Sequence, residues 1–313
     1  MRFRWQLAPR DSASIDDLCQ SLPISDLVAQ CLVNRGYTKP ATAEAFLQPR
    51  LKDLADPFLL PNMDAAVDRL WQAREAGELV VIFGDYDVDG VTSTTILLDV
   101  MPQLGWRVES YLPNRKDEGY GLGRDAVENC LEKHQIGLLL AVDCGSTSVD
   151  SIAWLKGQGI DTLVFDHHQV PEPAPEAVAL VNPQLGDRFQ ELCSAGLAFK
   201  LAHALVKRGR ENNDSAAQNY DVRQLLDLVA LGTIADLVPL TDENRILTST
   251  GLPRLSETRR PGLVALKEVA QCKREIGAYE VGFQLGPRLN AAGRLETATE
   301  ALDLLVQQDA VRA

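Results

Sequence analysis

Three carboxylates stand at alternate positions in the segment GDYDVDG, which begins at position 84 and follows the apolar run LVVIF. Like charges at this spacing repel one another, so Asp85, Asp87 and Asp89 favour a bound cation. Calcium is one candidate, because these acids and Gly90 match positions 1, 3, 5 and 6 of an EF-hand loop. Position 12 is Ile96 instead of Glu, and a strand is predicted where an EF-hand needs a helix. Taken alone, the segment is also compatible with a solvated turn.

Two more predicted strands end in groups of the same kind. LLLAV is followed by Asp143, and DTLVF is followed by Asp166, His167 and His168. The strands alternate with helices, which predicts right-handed βαβ units and a parallel sheet. Ligands of such sheets lie beyond the carboxyl ends of the strands. Asp236 lies in the apolar helix LLDLVALGTIADLVPL, where a carboxylate is costly to bury without a cation.

Acids and imidazoles from separate elements suit two divalent ions about 3.5–4 Å apart. Without a thiolate, these ligands favour Mn²⁺ or Mg²⁺ over a structural zinc. Neighbouring side chains on a strand point to opposite faces, so only one of His167 and His168 is expected to reach the ions, while the other faces a substrate phosphate. Taken singly, Asp143 is also compatible with a helix N-cap, and the two histidines with ordinary partly buried residues.

The composition describes an ordinary globular protein of 313 residues, 45% hydrophobic and 24% charged, with enough length for two domains. No apolar stretch approaches the roughly 20 residues of a membrane span, and no apolar segment follows the basic N-terminus, so a cytoplasmic location is expected. The six cysteines form no CxxC pair, which argues against a zinc ribbon or a disulfide framework. A net charge of −13 argues against a broad nucleic-acid-binding face, so such contacts would depend on local basic groups.

The patterns predict three segments. Residues 1–60 form a helical cap and connector with helical spacing from Asp26 to Leu47, residues 61–240 an α/β domain, and residues 241–313 a mainly helical extension that contains GPRLNAAGR. In the α/β domain the predicted strands are 79–83, 107–112, 136–143, 160–166 and 177–183, and the predicted helices are 64–76, 91–104, 125–133, 148–159 and 225–240.

The motifs GDYDVDG, VDCG, DHH, LVALGTIADLVPL and GPRLNAAGR, in this order, resemble those of the DHH phosphoesterase superfamily, specifically its RecJ-type single-stranded-DNA exonucleases. The resemblance covers about residues 60–300 and includes the phrases LPNRKDEGYGL and NRILTSTGL. It implies a DHH phosphoesterase core, two Mn²⁺ or Mg²⁺ ions, and 5′→3′ digestion of single-stranded DNA in repair and recombination. A helicase or a single-strand-binding protein is the implied protein partner. RecJ-type proteins continue into an accessory domain and an OB-fold, which we expect this chain to lack.

The resemblance also implies roles for individual residues. The implied metal ligands are Asp85, Asp87, Asp89, Asp143, His167 and Asp236. Asp143 would bridge the ions, and Asp85 would be an additional or supporting ligand. His168 would contact the scissile phosphate and Asp166 would orient a neighbouring imidazole, so these two and Asp143 are the implied catalytic residues. The implied DNA-backbone contacts are Arg288, Asn290 and Arg294, whose alternative interpretation is as solvated surface-loop residues. Because the chain is acidic overall, Arg115 and Lys116 are further local basic groups expected to contact DNA.

Two other functions are compatible with these motifs. The first is a phosphoesterase for small substrates such as short oligonucleotides, cyclic dinucleotides or pyrophosphate, which would hydrolyse a dinucleotide efficiently. The second is a metal-free replication scaffold, since some relatives have lost their ligands and serve as binding modules. The complete ligand set argues against the scaffold.

Overall fold

The chain folds around a five-stranded sheet in the order β2-β1-β3-β4-β5, and every neighbouring pair of strands is parallel. The structure is a computed structural model that describes residues 4, 6–114, 117–295 and 298–313, without the side chains of residues 294 and 295. The strands are β1 (Leu79–Phe83), β2 (Arg107–Tyr111), β3 (Leu138–Val142), β4 (Asp161–Phe165) and β5 (Ala179–Val181). The prediction of an α/β fold with a parallel sheet between helices is confirmed.

Fifteen α-helical segments are present among the described residues. They are α1 (Ser12–Ser21), α2 (Asp26–Val33), α3 (Pro40–Leu47), α4 (Met63–Ala76), α5 (Val88–Gln103), α6 (Arg124–Lys133), α7 (Val149–Gly157), α8 (Ser194–Glu211), α9 (Ser215–Asn219), α10 (Leu226–Ala235), α11 (Asp242–Ser256), α12 (Pro261–Val269), α13 (Ala278–Glu280), α14 (Gly286–Leu295) and α15 (Thr299–Val306). A π-helical turn, Val281–Leu285, joins α13 to α14.

Strands β1 and β3 are apolar throughout because helices cover both faces of the sheet. Every residue of β3 is buried, as expected for a parallel strand enclosed on both sides. On one face, Phe83 and Leu139 pack in a core with residues of α6 and α7, including Val127 and Ile152. Helices α4, α5 and α8 contact the strands as well. This two-sided burial leaves the strand ends as the place where the sheet can present polar side chains.

Several helical boundaries differ from the sequence prediction. The helix predicted over residues 225–240 is α10, which ends at Ala235, so Asp236 caps its C-terminus and does not lie inside it. Helix α5 begins at Val88 and not at position 91, because the Asp87 side chain accepts hydrogen bonds from the N–H groups of Asp89 and Gly90 and so caps the helix inside the GDYDVDG motif. The helical tract predicted from Asp26 to Leu47 is two helices, α2 and α3. The chain turns between them at Gly36, whose φ of 87° is readily available only to glycine.

The described chain divides into two compact units, Met1–Leu54 and Ala55–Ala313. The first unit contains α1, α2 and α3 around a small core that includes Ile15 and Leu32. In the second unit α11 packs on α10, and α14 and α15 pack on α5. The three segments predicted from the sequence stay a prediction. No described helix has the length and apolar content that crossing a membrane requires.

Candidate metal centre

The carboxyl ends of β1, β3 and β4 deliver acids to one edge of the sheet. Asp85 follows β1, Asp143 follows β3 and Asp166 follows β4, and all three are buried. The strands are in register here, since Val142 pairs with Phe165. The structure brings these acids together with the remaining predicted ligands and with the second histidine, which are Asp87, Asp89, His167, His168 and Asp236.

The imidazole of His167 faces three carboxylates. Its Nε2 lies 3.6 Å from Asp143 Oδ1, 3.8 Å from Asp89 Oδ2 and 3.8 Å from Asp236 Oδ2. These separations are too long for hydrogen bonds. Two ligand atoms that are each about 2.1 Å from one ion lie about 3.0–4.2 Å apart, depending on the angle between them. His167, Asp89 and Asp236 are therefore spaced as ligands of a shared cation, and Asp143 lies beside them at a similar distance from His167.

A second set of ligand atoms lies beside the first. One oxygen from each of Asp85, Asp87 and Asp143 falls within 4.8 Å of the others. Asp143 thus contributes to this acidic set and also faces His167, which is the position that a bridging carboxylate needs. The geometry matches the two-ion arrangement, and the assignment of each side chain as a ligand stays a prediction.

The buried carboxylates at this edge of the sheet create a negative charge that bound cations would neutralise. Burial raises the pKa of Asp85 to about 7 and that of Asp236 to about 7. Burial together with the charge of Asp89 raises the pKa of Asp143 well above its ordinary value. Both oxygens of Asp85 are buried without a well-formed hydrogen bond from any described residue, although the nearby Tyr86 N–H moderates the shift. Hard divalent ions would relieve this accumulation of negative charge, so the residues fit the metals.

Thiol groups take no part in this ligand set. Cys144 follows Asp143 in the chain but packs in the apolar core beside the sheet. Burial raises the pKa of its thiol far above the ordinary value, as it does for Cys193. A neutral thiol is a poor metal ligand, so oxygen and imidazole ligands dominate, as Mn²⁺ and Mg²⁺ prefer.

The N-terminus of α8 holds two of the acids. The N–H groups of Ser194 and Ala195 donate to the two oxygens of Asp89 at 2.7 and 2.8 Å, and Ser194 Oγ donates to Asp143 Oδ1 at 2.9 Å. The positive end of an 18-residue helix dipole therefore stabilises the buried carboxylate of Asp89. Sequence analysis missed Ser194, because a serine at the start of a long helix is too common to indicate a site.

We expect Ser194→Ala to weaken Mn²⁺ binding by about 10- to 100-fold, the usual effect of removing a group that orients a metal ligand. Without the hydroxyl, Asp143 loses its hydrogen bond and can turn away from its predicted bridging position. Titration calorimetry with Mn²⁺ measures the change. Ser194→Thr keeps a hydroxyl and should recover most of the affinity. Ser151→Ala, at a buried serine of α7, is the matched control, and equal affinity in the parent and Ser194→Ala would contradict the prediction.

Two backbone features keep the acids in place. A β-carbon at Gly90 would lie 2.6 Å from the backbone oxygen of Asp85, so the final glycine of GDYDVDG lets the loop fold back on itself. Asp143 has a φ of 62°, in the left-handed region that Asp and Asn enter more readily than most residues. A strand cannot continue through this conformation, so β3 ends immediately before Asp143, a predicted metal ligand.

The two histidines lie on the same side, so the expectation of opposite faces is wrong. Strand β4 ends at Phe165, and strand alternation does not extend to His167 and His168. Their ring centroids are 4.5 Å apart, and both rings have a nitrogen within 4.8 Å of an oxygen of Asp143. They differ in their partners, since only His167 points Nε2 at the three carboxylates described above.

His168 is paired with Asp166. Its Nδ1 lies 2.7 Å from Asp166 Oδ1, and the other oxygen of Asp166 accepts the Ser146 N–H at 2.9 Å. Burial alone would raise the pKa of Asp166, but the hydrogen bond with His168 lowers it to about 2. The same hydrogen bond raises the pKa of His168, which favours its positively charged form. The His168 side chain is 44% exposed, so it remains accessible from solvent.

The predicted DNA-contact residues fall into two groups. Arg115 and Lys116 lie outside the described residues, as does the side chain of Arg294. Arg288 is exposed on α14. Asn290 accepts the Val88 N–H through Oδ1 at 3.1 Å and so joins α14 to the GDYDVDG loop, a structural contact that sequence analysis did not foresee.

Tyr120 is a further residue at the centre that sequence analysis did not single out. Its ring meets that of Tyr86, from the GDYDVDG loop, edge to face at a centroid distance of 5.8 Å. Burial and the neighbouring charges of Asp85 and Asp143 raise the pKa of its hydroxyl. Only its place in LPNRKDEGYGL, among the phrases that carry the RecJ resemblance, could have indicated it.

Comparison with known proteins places the chain in a family. Residues 79–233 match the DHH family, N-terminal domain. The chain is 39% identical over 316 residues to the single-stranded-DNA-specific exonuclease RecJ of Bacillus subtilis (strain 168), and 37% identical over 317 residues to RecJ of Thermus thermophilus. Each alignment covers 100% of this chain but only 38% and 44% of the respective relative. The chain thus spans less than half of these two relatives.

Solved structures of RecJ are similar to this chain as well. RecJ in complex with Mn²⁺ from Thermus thermophilus superposes with a TM-score of 0.82 at 31% identity, over 97% of this chain and 42% of that one. A crystal structure of exonuclease RecJ bound to manganese gives a TM-score of 0.73 at 36% identity, over 81% of this chain and 63% of that one. The chain therefore belongs to the DHH family, and RecJ-type members of that family are its relatives throughout its length.

Proposed function

We propose that this chain is the hydrolytic core of a 5′→3′ exonuclease that acts on single-stranded DNA with two Mn²⁺ or Mg²⁺ ions. The observation that carries the proposal is the convergence of Asp89, Asp143 and Asp236 on Nε2 of His167, next to the acidic set around Asp85. The relatives are named as single-stranded-DNA-specific exonucleases, and two of the solved RecJ structures contain Mn²⁺. The 5′→3′ direction comes from the family resemblance alone.

Divalent ions supply two effects when bound, which are activation of water for attack on phosphorus and neutralisation of charge on the leaving oxygen. The side chains of this protein position the ions and the scissile phosphate. The acids and His167 hold the ions, and the N-terminus of α8 fixes Asp89 and Asp143. His168, whose pKa is raised by its hydrogen bond with Asp166, donates from its half-exposed ring to an oxygen of the scissile phosphate, where charge increases as the bond breaks.

Contact with DNA away from the ions depends on local groups, because the chain as a whole carries a net charge of −13. Arg288 is the exposed cation that the described part of GPRLNAAGR offers. The roles of Arg288, Asn290, Arg115 and Arg294 in DNA binding stay predictions. So do a cytoplasmic location and a helicase or single-strand-binding protein as partner.

The proposal predicts that, with Mn²⁺, the chain shortens a labelled single-stranded oligonucleotide at least 100-fold faster than the corresponding duplex. A chelator should stop the reaction, because the charged edge cannot act on a phosphate without cations. Denaturing gels with labels at either end report both rate and direction. Rapid hydrolysis of a dinucleotide or pyrophosphate with a slow reaction on the oligonucleotide would instead favour the small-substrate phosphoesterase.

A further inference from the structure

Two exposed aromatic rings stack on each other away from the metal ligands. Tyr279 and Phe283 are 62% and 71% exposed, and their ring centroids are 5.1 Å apart with an interplanar angle of 29°. Large aromatic side chains seldom remain this exposed in a folded chain, and exposed aromatic pairs mark binding surfaces. We refer to these two residues as the aromatic pair.

The aromatic pair is presented by a well-anchored segment. Phe283 lies in the π-helical turn, between Val281 and Leu285, which are fully buried. Upstream, the buried Ile276 donates its N–H to Ser256 Oγ at 2.8 Å. A single π-helical turn of this kind is frequent at functional sites. The rings therefore have a fixed position while their outer surfaces stay open.

This segment continues directly to the metal centre. A β-carbon at Gly286, three residues after Phe283, would lie 3.4 Å from the β-carbon of Ala235, which precedes the ligand Asp236. Further along α14, Asn290 accepts the Val88 N–H. Asn290 lies seven positions after Phe283 along the helix, a rise of about 10 Å. That distance corresponds to about three stacked nucleotides at 3.4 Å each.

Gly293 adds a second contact between α14 and the metal loop. A β-carbon at this position would lie 2.8 Å from the Tyr86 backbone oxygen, so the helix and the loop are in close contact. The aromatic pair and the metal centre are thus held by one continuous element. A strand bound at both places would run along α14, past the exposed cation of Arg288.

We propose that Tyr279 and Phe283 form a stacking platform for the bases of single-stranded DNA whose terminal phosphodiester lies at the metal centre. The inference rests on the proposed function and adds a structural reason for the preference for single-stranded over duplex DNA. Bases stack on aromatic rings without any requirement for positive charge, which suits a chain with a net charge of −13. Duplex bases are already stacked on one another, so the platform accepts only unpaired ones.

The test compares binding of oligothymidylate with that of an abasic strand carrying the same number of phosphates, by anisotropy with Ca²⁺ in place of Mn²⁺. Removal of one stacking ring lowers affinity for single strands by about 5- to 150-fold. We expect Phe283→Ala and Tyr279→Ala to show this loss on oligothymidylate and almost none on the abasic strand. Phe283→Trp should keep the affinity, and Phe283→Leu should lose it, since leucine is apolar but has no aromatic face.

Val269→Ala is the control, because Val269 is 73% exposed on α12 and outside the platform. Mn²⁺ titration calorimetry should give the same affinity for all variants. If the parent binds oligothymidylate while Phe283→Ala binds it equally well, or if Phe283→Leu retains full affinity, the platform is contradicted and the proposed function stands. If the parent neither binds nor degrades single strands, both the proposed function and the platform are contradicted.

Discussion

Asp143→Asn is expected to leave a folded protein that has lost hydrolytic activity by about 10³-fold or more and no longer binds two Mn²⁺ ions tightly. Asp143 belongs to the acidic set with Asp85 and Asp87 and also lies 3.6 Å from His167 Nε2. Loss of its charge therefore affects both ion positions. The expected 10³-fold loss of rate corresponds to about 4 kcal/mol of lost transition-state stabilisation.

Asparagine preserves the surroundings of this position. Its amide oxygen still accepts the Ser194 hydroxyl, which lies 2.9 Å from Oδ1 in the parent. Asparagine also tolerates the left-handed backbone at φ 62°. Loss of activity in this variant is thus a consequence of charge and not of unfolding.

The metal-free variant should be more stable than the metal-free parent at alkaline pH. Burial raises the pKa of Asp143, so the carboxyl favours the folded state while it is protonated. This contribution is present below the unfolded-state pKa and is lost as pH rises through the folded-state pKa. We expect Asp143→Asn to melt at a higher temperature than the parent at pH 8 with a chelator, and the difference to shrink towards pH 4.

Thermal melting with and without Mn²⁺ and titration calorimetry together check this prediction. Mn²⁺ should raise the melting temperature of the parent much more than that of Asp143→Asn. Asp150→Asn, an acid in the first turn of α7, is the matched control and should behave as the parent does. Two tight Mn²⁺ sites in Asp143→Asn would show that Asp143 does not bridge the ions.

The convergence of the acids could be predicted because it follows from local rules. Apolar runs of strand length, such as the one before Asp143, alternate with helices, and this alternation predicts a parallel sheet. The carboxyl ends of its strands must then share an edge. The family motifs identified the remaining predicted ligands, including Asp236, which does not follow a strand. The positions of Asp85, Asp143 and Asp166 could be predicted because each follows a strand, and the strand fixes where its end lies in the sheet.

The missed features depend on contacts between distant segments or on the end of a regular element. Ser194 reaches Asp143 across 51 positions, and Asn290 reaches Val88 across 202. No local pattern records either contact. The histidine geometry was mispredicted because β4 ends at Phe165, before either histidine, so strand alternation does not set the direction of their rings. Strand ends are the least predictable boundaries, and here they carry the ligands.

The gathering of carboxylates at one buried edge makes the site predictable from the sequence and also makes it destabilising in the metal-free fold. Crowded carboxylates identify a cation site in the sequence, yet in the folded chain burial, together with the charges of neighbouring acids, raises the pKa of Asp85 and of Asp236 to about 7. The protein offsets part of this with the dipole of α8 at Asp89. The remainder is the free energy that metal binding recovers, which couples the ions to stability.

His168→Ala is expected to lower turnover by about 10²- to 10³-fold while Mn²⁺ affinity stays within about threefold of the parent. Its Nδ1 is held by Asp166 at 2.7 Å, so the ring is oriented without any metal. A positioned cationic donor to a developing phosphate charge contributes about this factor. His167, in contrast, faces Asp89, Asp143 and Asp236, so His167→Ala should lose metal affinity together with activity.

The two histidines serve as controls for each other, since they are adjacent in sequence and their rings are 4.5 Å apart. Kinetics on a single-stranded oligonucleotide gives turnover, and calorimetry on the same preparations gives Mn²⁺ affinity and stoichiometry. Asp166→Asn should resemble a milder His168→Ala, because it leaves the ring in place but removes the carboxylate charge that raises the pKa of His168. Loss of Mn²⁺ binding in His168→Ala would make His168 a ligand, and unchanged turnover would remove it from the site. Turnover lost with metal affinity retained would assign His168 to the substrate side of the centre.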